Sequence, residues 1–202
     1  MHLPPKFPCR SAIANAVAVQ DDGKIVVAGT ETAGVFDNGD FLIRRYTANG
    51  SPDPTFSGDG SETIDFDAYA DAAFDLAIAD NGKIVAVGYA SSDTGLSKTQ
   101  AAVVRLRPDG APDSTFSGDG KRVLSGVGQA QAVVLQDDGK IVVGGSGPDG
   151  SSIGFALARL DDAGKLDPSF PPRSPKRPHS LTPHPSPALC RAPVPKTARP
   201  NS

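Results

Sequence analysis

The side chains best equipped for chemistry in this chain are its carboxylates and one recurring arginine. Arg45, Arg105 and Arg159 are each followed by an aspartate (Asp53, Asp113, Asp167) and then a phenylalanine (Phe56, Phe116, Phe170). Three such arginines on one scaffold could ring an anionic ligand. A position repeated in every unit of an array, however, serves the fold of the unit, whereas a binding site breaks the symmetry. Each arginine is therefore expected to pair with the aspartate of its own unit or to cap the intervening turn. The phenylalanines read as anchors that fasten this turn onto its sheet.

Nucleophilic and transition-metal chemistry is poorly supplied. His2, His179 and His184 lie near the ends of the chain, as do Cys9 and Cys190, so residues 11–170 contain neither histidine nor cysteine. This inventory removes His-assisted nucleophiles and the usual zinc and copper ligand sets from that region. A pair of carboxylates acting on polysaccharide is the enzymatic alternative, but 23 acidic residues make chance proximity of two unremarkable. The residues identify no catalytic group and no cofactor. Calcium is the metal that the acids would suit, with Asp53, Asp59, Asp65, Asp67, Asp71, Asp113 and Asp119 near glycine-containing turns. The competing reading gives these aspartates to Asx turns and to solubility. Neither a twelve-residue calcium loop ending in glutamate nor the nine-residue glycine-rich calcium repeat is present.

The elements that carry these residues recur. Asp22-Gly23-Lys24-Ile25, Asn81-Gly82-Lys83-Ile84 and Asp138-Gly139-Lys140-Ile141 place their glycines 59 and 57 residues apart, and the phenylalanines follow at intervals of 60 and 54. Self-similarity at such a period marks a repeat architecture. Within the first unit, Ala16–Val19 alternates as a strand does, the Asp-Gly turn follows, and Lys24–Gly29 is a short apolar run. Phe41–Tyr46 and Glu62–Phe66 read as third and fourth strands. The second unit gives Phe74–Ile78, Lys83–Tyr89, Ala101–Leu106 and Lys121–Leu124. The third gives Gln131–Leu135, Lys140–Gly145 and Phe155–Leu160, and lacks a fourth. Four short antiparallel strands per unit predict an all-β fold, a partial β-propeller of about three four-stranded blades with the third incomplete. Small residues in the first two strands, including Ala28, Gly29, Gly88, Gly144 and Gly145, are expected where tapered blades crowd one another.

The pattern Gln20–Gly29, the strand ending in Arg-Tyr, and Pro-Asp-Pro-Thr-Phe-Ser-Gly-Asp-Gly (Pro52–Gly60) resemble the delta-60 repeat. The likeness covers residues 12–170, in units of about 12–70, 71–128 and 129–170. It implies a bacterial β-propeller repeat protein of the kind found in large, often exported chains of uncharacterised function, and hence an extracellular or cell-surface location. It implies no catalytic residues. Two departures stand out: family members usually carry more repeats, and the third unit breaks off after Phe170.

Charge divides the chain. Residues 11–170 hold all 23 acidic residues and 12 of the 20 basic ones, a net charge of −11, which argues against nucleic acid as a partner. Residues 171–202 carry six basic residues, ten prolines, and neither acid nor glycine, a composition expected to be disordered. The switch falls in mid-motif after Phe170, which suggests a frameshifted or truncated reading frame; the alternative is a basic tether. Residues 1–11 are expected to be disordered as well, and a disulfide between Cys9 and Cys190 is not expected. The chain has no apolar stretch long enough to span a membrane as a helix. Residues 12–19 behind Lys6 and Arg10 have some likeness to a signal peptide, but their recurrence before each turn makes them a strand.

The expected function is that of a non-enzymatic binding or structural module. Its ligand, a protein or a carbohydrate, would meet the loops that differ between units, 30–40, 90–100 and 146–153. An open array of blades also exposes edges and apolar faces, which predicts self-association, aggregation or marginal stability.

Overall fold

A computed structural model describes residues 11–32, 39–149 and 152–170, which form eleven strands in three antiparallel sheets. The first sheet holds β1 (Ser11–Val19), β2 (Ile25–Thr32), β3 (Asp40–Tyr46) and β4 (Ser61–Ile64) in that order. The second holds β5 (Ala70–Ile78), β6 (Ile84–Ser91), β7 (Thr99–Leu106) and β8 (Lys121–Leu124). The third holds β9 (Gln129–Leu135), β10 (Ile141–Asp149) and β11 (Ser152–Leu160), with no fourth strand among the described residues. Chain order is spatial order throughout, as in the blades of a propeller. The expectations for residues 1–10 and 171–202, for Cys9 and Cys190, and for the three histidines lie outside the described residues.

Blades stack face to face around two apolar cores. Val26, Ala28, Phe41 and Ile43 of blade 1 meet Ala73, Leu76, Ile84 and Ala86 of blade 2. The opposite face of blade 2, with Val85, Val87, Ala101 and Val103, meets Ala130, Val133, Ile141 and Val143 of blade 3. Alternation with period two supplies both faces of blade 2, and β6 and β7 accordingly read as nearly continuous apolar runs.

Two details differ from the sequence reading. The variable loops are shorter than their sequence limits, because pairing continues into polar residues: Thr30–Thr32, Ala90, Ser91, Thr99, Gln100 and Ser146–Asp149 are all in strands. The residues 33–38 and 150–151 inside those loops lie outside the described residues. The second difference concerns Gly29, Gly88 and Gly145. They are required within the blade and not by crowding from a neighbour. Each lies opposite a β-bulge in the first strand, at Ala14/Ala16, Ala73/Asp75 and in the matching place in β9. A Cβ there would lie 1.8–1.9 Å from the carbonyl oxygen of Ile13, Ala72 or Gln129.

Candidate functional site

The recurring arginine turns out to be the centre of a clasp. In blade 1, Arg45 Nε donates to Asp53 Oδ2 at 2.8 Å and Nη2 donates to Thr55 Oγ1 at 2.9 Å, while the Thr55 hydroxyl donates to Asp53 Oδ1 at 2.7 Å. The guanidinium lies 4.9 Å from the centre of the Phe56 ring. Blade 2 repeats this with Arg105, Asp113, Thr115 and Phe116, and blade 3 with Arg159, Asp167, Ser169 and Phe170. The intra-unit pairing expected from the repeat is present in all three. The hydrogen bonds fix the carboxylates in the ionised form. Thr55 above all, joined by Arg45 and Lys24, outweighs burial and lowers Asp53 to about 2. Burial pushes Asp113 up, yet hydrogen bonds from Lys83 and Thr115 and the charge of Arg105 leave it well below the usual carboxylate range. Ser169 leads in lowering Asp167.

The clasps of blades 1 and 2 also reach the next blade, a role that the sequence reading missed. Arg45 Nη1 donates to Pro108 O at 2.6 Å, and Arg105 Nη1 donates to Asp162 O at 2.8 Å and Asp162 Oδ1 at 2.6 Å. The amides of Ser57 and Ser117 donate to Asp109 O and Ala163 O at 2.8 and 3.0 Å. Phe56 and Phe116 are fully buried, their rings against Gly110 and Gly164 of the following turn, where a Cβ would lie 3.0 and 2.9 Å from the ring. The signal was present in the spacing: Gly50, Gly110 and Gly164 recur as faithfully as the phenylalanines do. These turns and clasps share one end of the array.

The opposite end carries a cluster of three acids. Asp40, Asp65 and Asp71 bring carboxylate oxygens within 4.8 Å of one another, the only such group of metal-ligating side chains among the described residues. Of the seven aspartates singled out for calcium, Asp65 and Asp71 come together, and Asp40 joins them unforeseen. Asp53 and Asp113 are spent in the clasps. Asp59 and Asp119 accept the amides of Ser61 and Lys121 at 2.9 Å, as Asx turns do. Asp67 lies outside the trio at a positive φ of 56°, its amide donating to Asp65. Asp71 is fully buried and its two oxygens accept the amides of Phe41 at 2.7 Å and Phe66 at 3.1 Å, tying β5 to β3 and to the segment that follows β4. Burial, with the charges of Asp40 and Asp65, pushes Asp71 up to about 7 against the pull of those amides. Of the trio, Asp71 is buried, Asp40 half-buried and Asp65 exposed. A hard cation held by the three would relieve their mutual repulsion.

Two of the three variable loops meet at this end. Leu96, Ser97 and Thr99 of blade 2 line a groove with Gln129, Ser146 and Ile153 of blade 3. Asp93 stiffens the first wall: it accepts from the Lys98 amide at 3.0 Å and from the hydroxyls of Ser91 and Ser97. Leu96 holds a positive φ of 53° there.

The family described as a domain of unknown function (DUF5122) beta-propeller matches residues 20–56, 79–116 and 136–170, more than half of the chain. The chain belongs to this family. Each matched segment of this beta-propeller repeat runs from the Asp-Gly turn to the clasp phenylalanine, so the matched core is that turn, the second and third strands and the clasp. The variable loops of each unit lie inside the matched segments, between β2 and β3 and their counterparts. No curated protein matches the chain. No helix of the described residues is long and apolar enough to cross a membrane.

Proposed function

We propose that this chain is a non-enzymatic binding module of an exported bacterial repeat protein of the delta-60 kind, with residues 12–170 as the propeller array between the segments 1–11 and 171–202. The observation that carries this reading is the division of labour between the two ends. At the turn end, the repeated Arg, Asp, Thr and Phe side chains are consumed in holding blades together. At the loop end, residues that differ between units converge: Leu96 and Ile153 offer apolar edges, with Ser97, Thr99, Gln129 and Ser146 between them. Such a groove suits an extended peptide or a short glycan, which needs hydroxyl and amide partners beside apolar contact. Lipid and nucleic-acid ligands fit poorly, given a net charge of −11 over residues 11–170.

The test is a glycan and peptide array probed with the 202-residue chain, followed by the same array with Leu96→Asp and Ile153→Asp. Binding that both substitutions abolish, in variants with unchanged circular dichroism, supports the groove. Binding that survives both locates the ligand elsewhere, and turnover of a glycan would replace the reading with the carboxylate enzyme.

A further inference from the structure

The clasp has a donor half and an acceptor half, and the array ends with one of each unmatched. At blade 3, the Arg159 side chain is 22% exposed, against 5% and 3% for Arg45 and Arg105, and it has no hydrogen bond to a following turn among the described residues. Phe170 is half-buried where Phe56 and Phe116 are fully covered. At blade 1, the turn Thr47–Ser51 has the hydrogen bonding of Arg107–Ala111 and Asp161–Lys165. Gly50 is exposed, and a Cβ built there meets nothing within 4 Å, whereas Gly110 and Gly164 are crowded by the preceding phenylalanine.

The flanking faces are unmatched in the same sense. Phe155 is 79% exposed in the place that Phe41 and Ala101 fill at zero exposure in blades 1 and 2, and Leu157 is exposed where Ile43 and Val103 are covered. Val17 and Val19 are 67% exposed at the positions of Leu76 and Ile78, and of Val133 and Leu135. The free face of blade 3 is thus the kind that blade 2 and blade 3 already cover, and the free face of blade 1 is the kind that does the covering.

We propose that two copies of this chain dock head to tail, the free face of blade 3 in each receiving the free face of blade 1 in the other, so that six sheets close into one ring. The contact copies the two interfaces within the chain. Arg159 Nη1 donates to Ala48 O of the second copy, as Arg45 does to Pro108 O and Arg105 to Asp162 O. Phe170 stacks on the second copy's Gly50, as Phe56 does on Gly110. Phe155 and Leu157 come to lie against its β1. A head-to-tail contact either closes or grows into a filament, and six blades fall inside the range of roughly four to eight at which propellers close. Arg44 stands on the covering face of blade 1, where blades 2 and 3 carry Val104 and Ala158, and its Nε has no hydrogen-bond partner among the described residues.

Sedimentation velocity of the 202-residue chain over a concentration series tests this, in reducing buffer so that Cys9 and Cys190 cannot link copies. The expected result is a discrete species of twice the 20.7 kDa chain mass. Gly50→Asn and Phe155→Asp should each weaken dimerisation by at least about tenfold, since each removes part of one docked face. A Cβ at Gly50 meets nothing within 4 Å among the described residues, and asparagine tolerates a positive φ. Gly139→Asn, at a left-handed turn position facing blade 2, should leave the dimer intact. A monomer at all concentrations overturns the proposal. So do an open-ended polymer and a dimer indifferent to both Gly50→Asn and Phe155→Asp.

Discussion

Replacing Arg105 and Arg159, one at a time, by methionine separates the inter-blade part of the clasp from the part within the unit. Methionine keeps an unbranched apolar stem over the phenylalanine ring and removes only the guanidinium. Arg105 is 3% exposed and spends its head group on Asp113, Thr115 and Asp162, the last of these in blade 3. Breaking a buried pair by removing one partner costs about 3–5 kcal/mol, because the remaining charge stays buried. Asp113 retains Lys83 at 2.9 Å, so the lower end, about 3 kcal/mol, is the expected loss for Arg105→Met. Arg159 makes the same contacts within its unit but none to a following blade among the described residues, and water reaches it. Its replacement should cost a clearly smaller amount when measured in dilute solution, where copies stay apart.

Urea unfolding followed by circular dichroism gives both losses. Hydrogen exchange gives their location, since Arg105→Met should speed exchange at the Ser117 amide, which donates to Ala163 across the junction. Equal losses for the two variants, or unchanged exchange at Ser117, would refute the inter-blade role. The motif would then be a device of the single unit.

Three further outcomes follow from the packing and the carboxylates. Gly88→Ala should destabilise by about 3 kcal/mol or more, since its Cβ would lie 1.8 Å from a carbonyl oxygen; Gly144→Ala, with Leu157 Cδ2 at 3.4 Å, should cost little, and thermal melts of the pair compare them directly. Asp71 is raised to about 7, so its protonated form stabilises the fold fully below the unfolded value near 4, and that contribution, at most about 4 kcal/mol, is lost as pH rises through 7. Asp71→Asn should flatten urea stability between about pH 4 and about pH 7, and an unchanged slope would refute the assignment to Asp71. Asp53, lowered to about 2, works the other way: its share is present above about pH 4 and lost on acidification toward 2, so Asp53→Asn should blunt acid unfolding in a pH titration.

The blades were legible because the information that makes them is local. A strand and a tight turn are written in period-two alternation and in Gly23, Gly82 and Gly139, whose positive φ values of 81°, 77° and 79° the turns demand. Strand ends were not legible. Ser146–Asp149 pair with Ser152–Phe155 although serine, glycine and proline usually signal a loop, because partner backbone was available. The bulges were invisible for a related reason: Gly88 is needed by a carbonyl sixteen residues earlier in sequence, and small size alone does not say which neighbour requires it.

The clasp marks where a single repeated motif stops speaking for itself. Arg45 and Arg105 look identical in sequence to Arg159, and the pairing of each with an aspartate eight residues on is a fact of one unit, which the repeat alone predicts. The bond from Nη1 to the next turn is a fact about two units, and a sequence in which both halves recur writes the donor and the acceptor the same number of times whether or not they meet. Only the ends tell them apart. A residue that served its own unit alone would be equally covered in all three, yet Arg159 is 22% exposed against 5% and 3%, and Gly50 is open where Gly110 and Gly164 are closed. The asymmetry at both ends has the same sense, one clasp without a turn and one turn without a clasp. The repeated residues therefore belong to the junction as much as to the blade, and replacing Arg105 has to weaken two units at once.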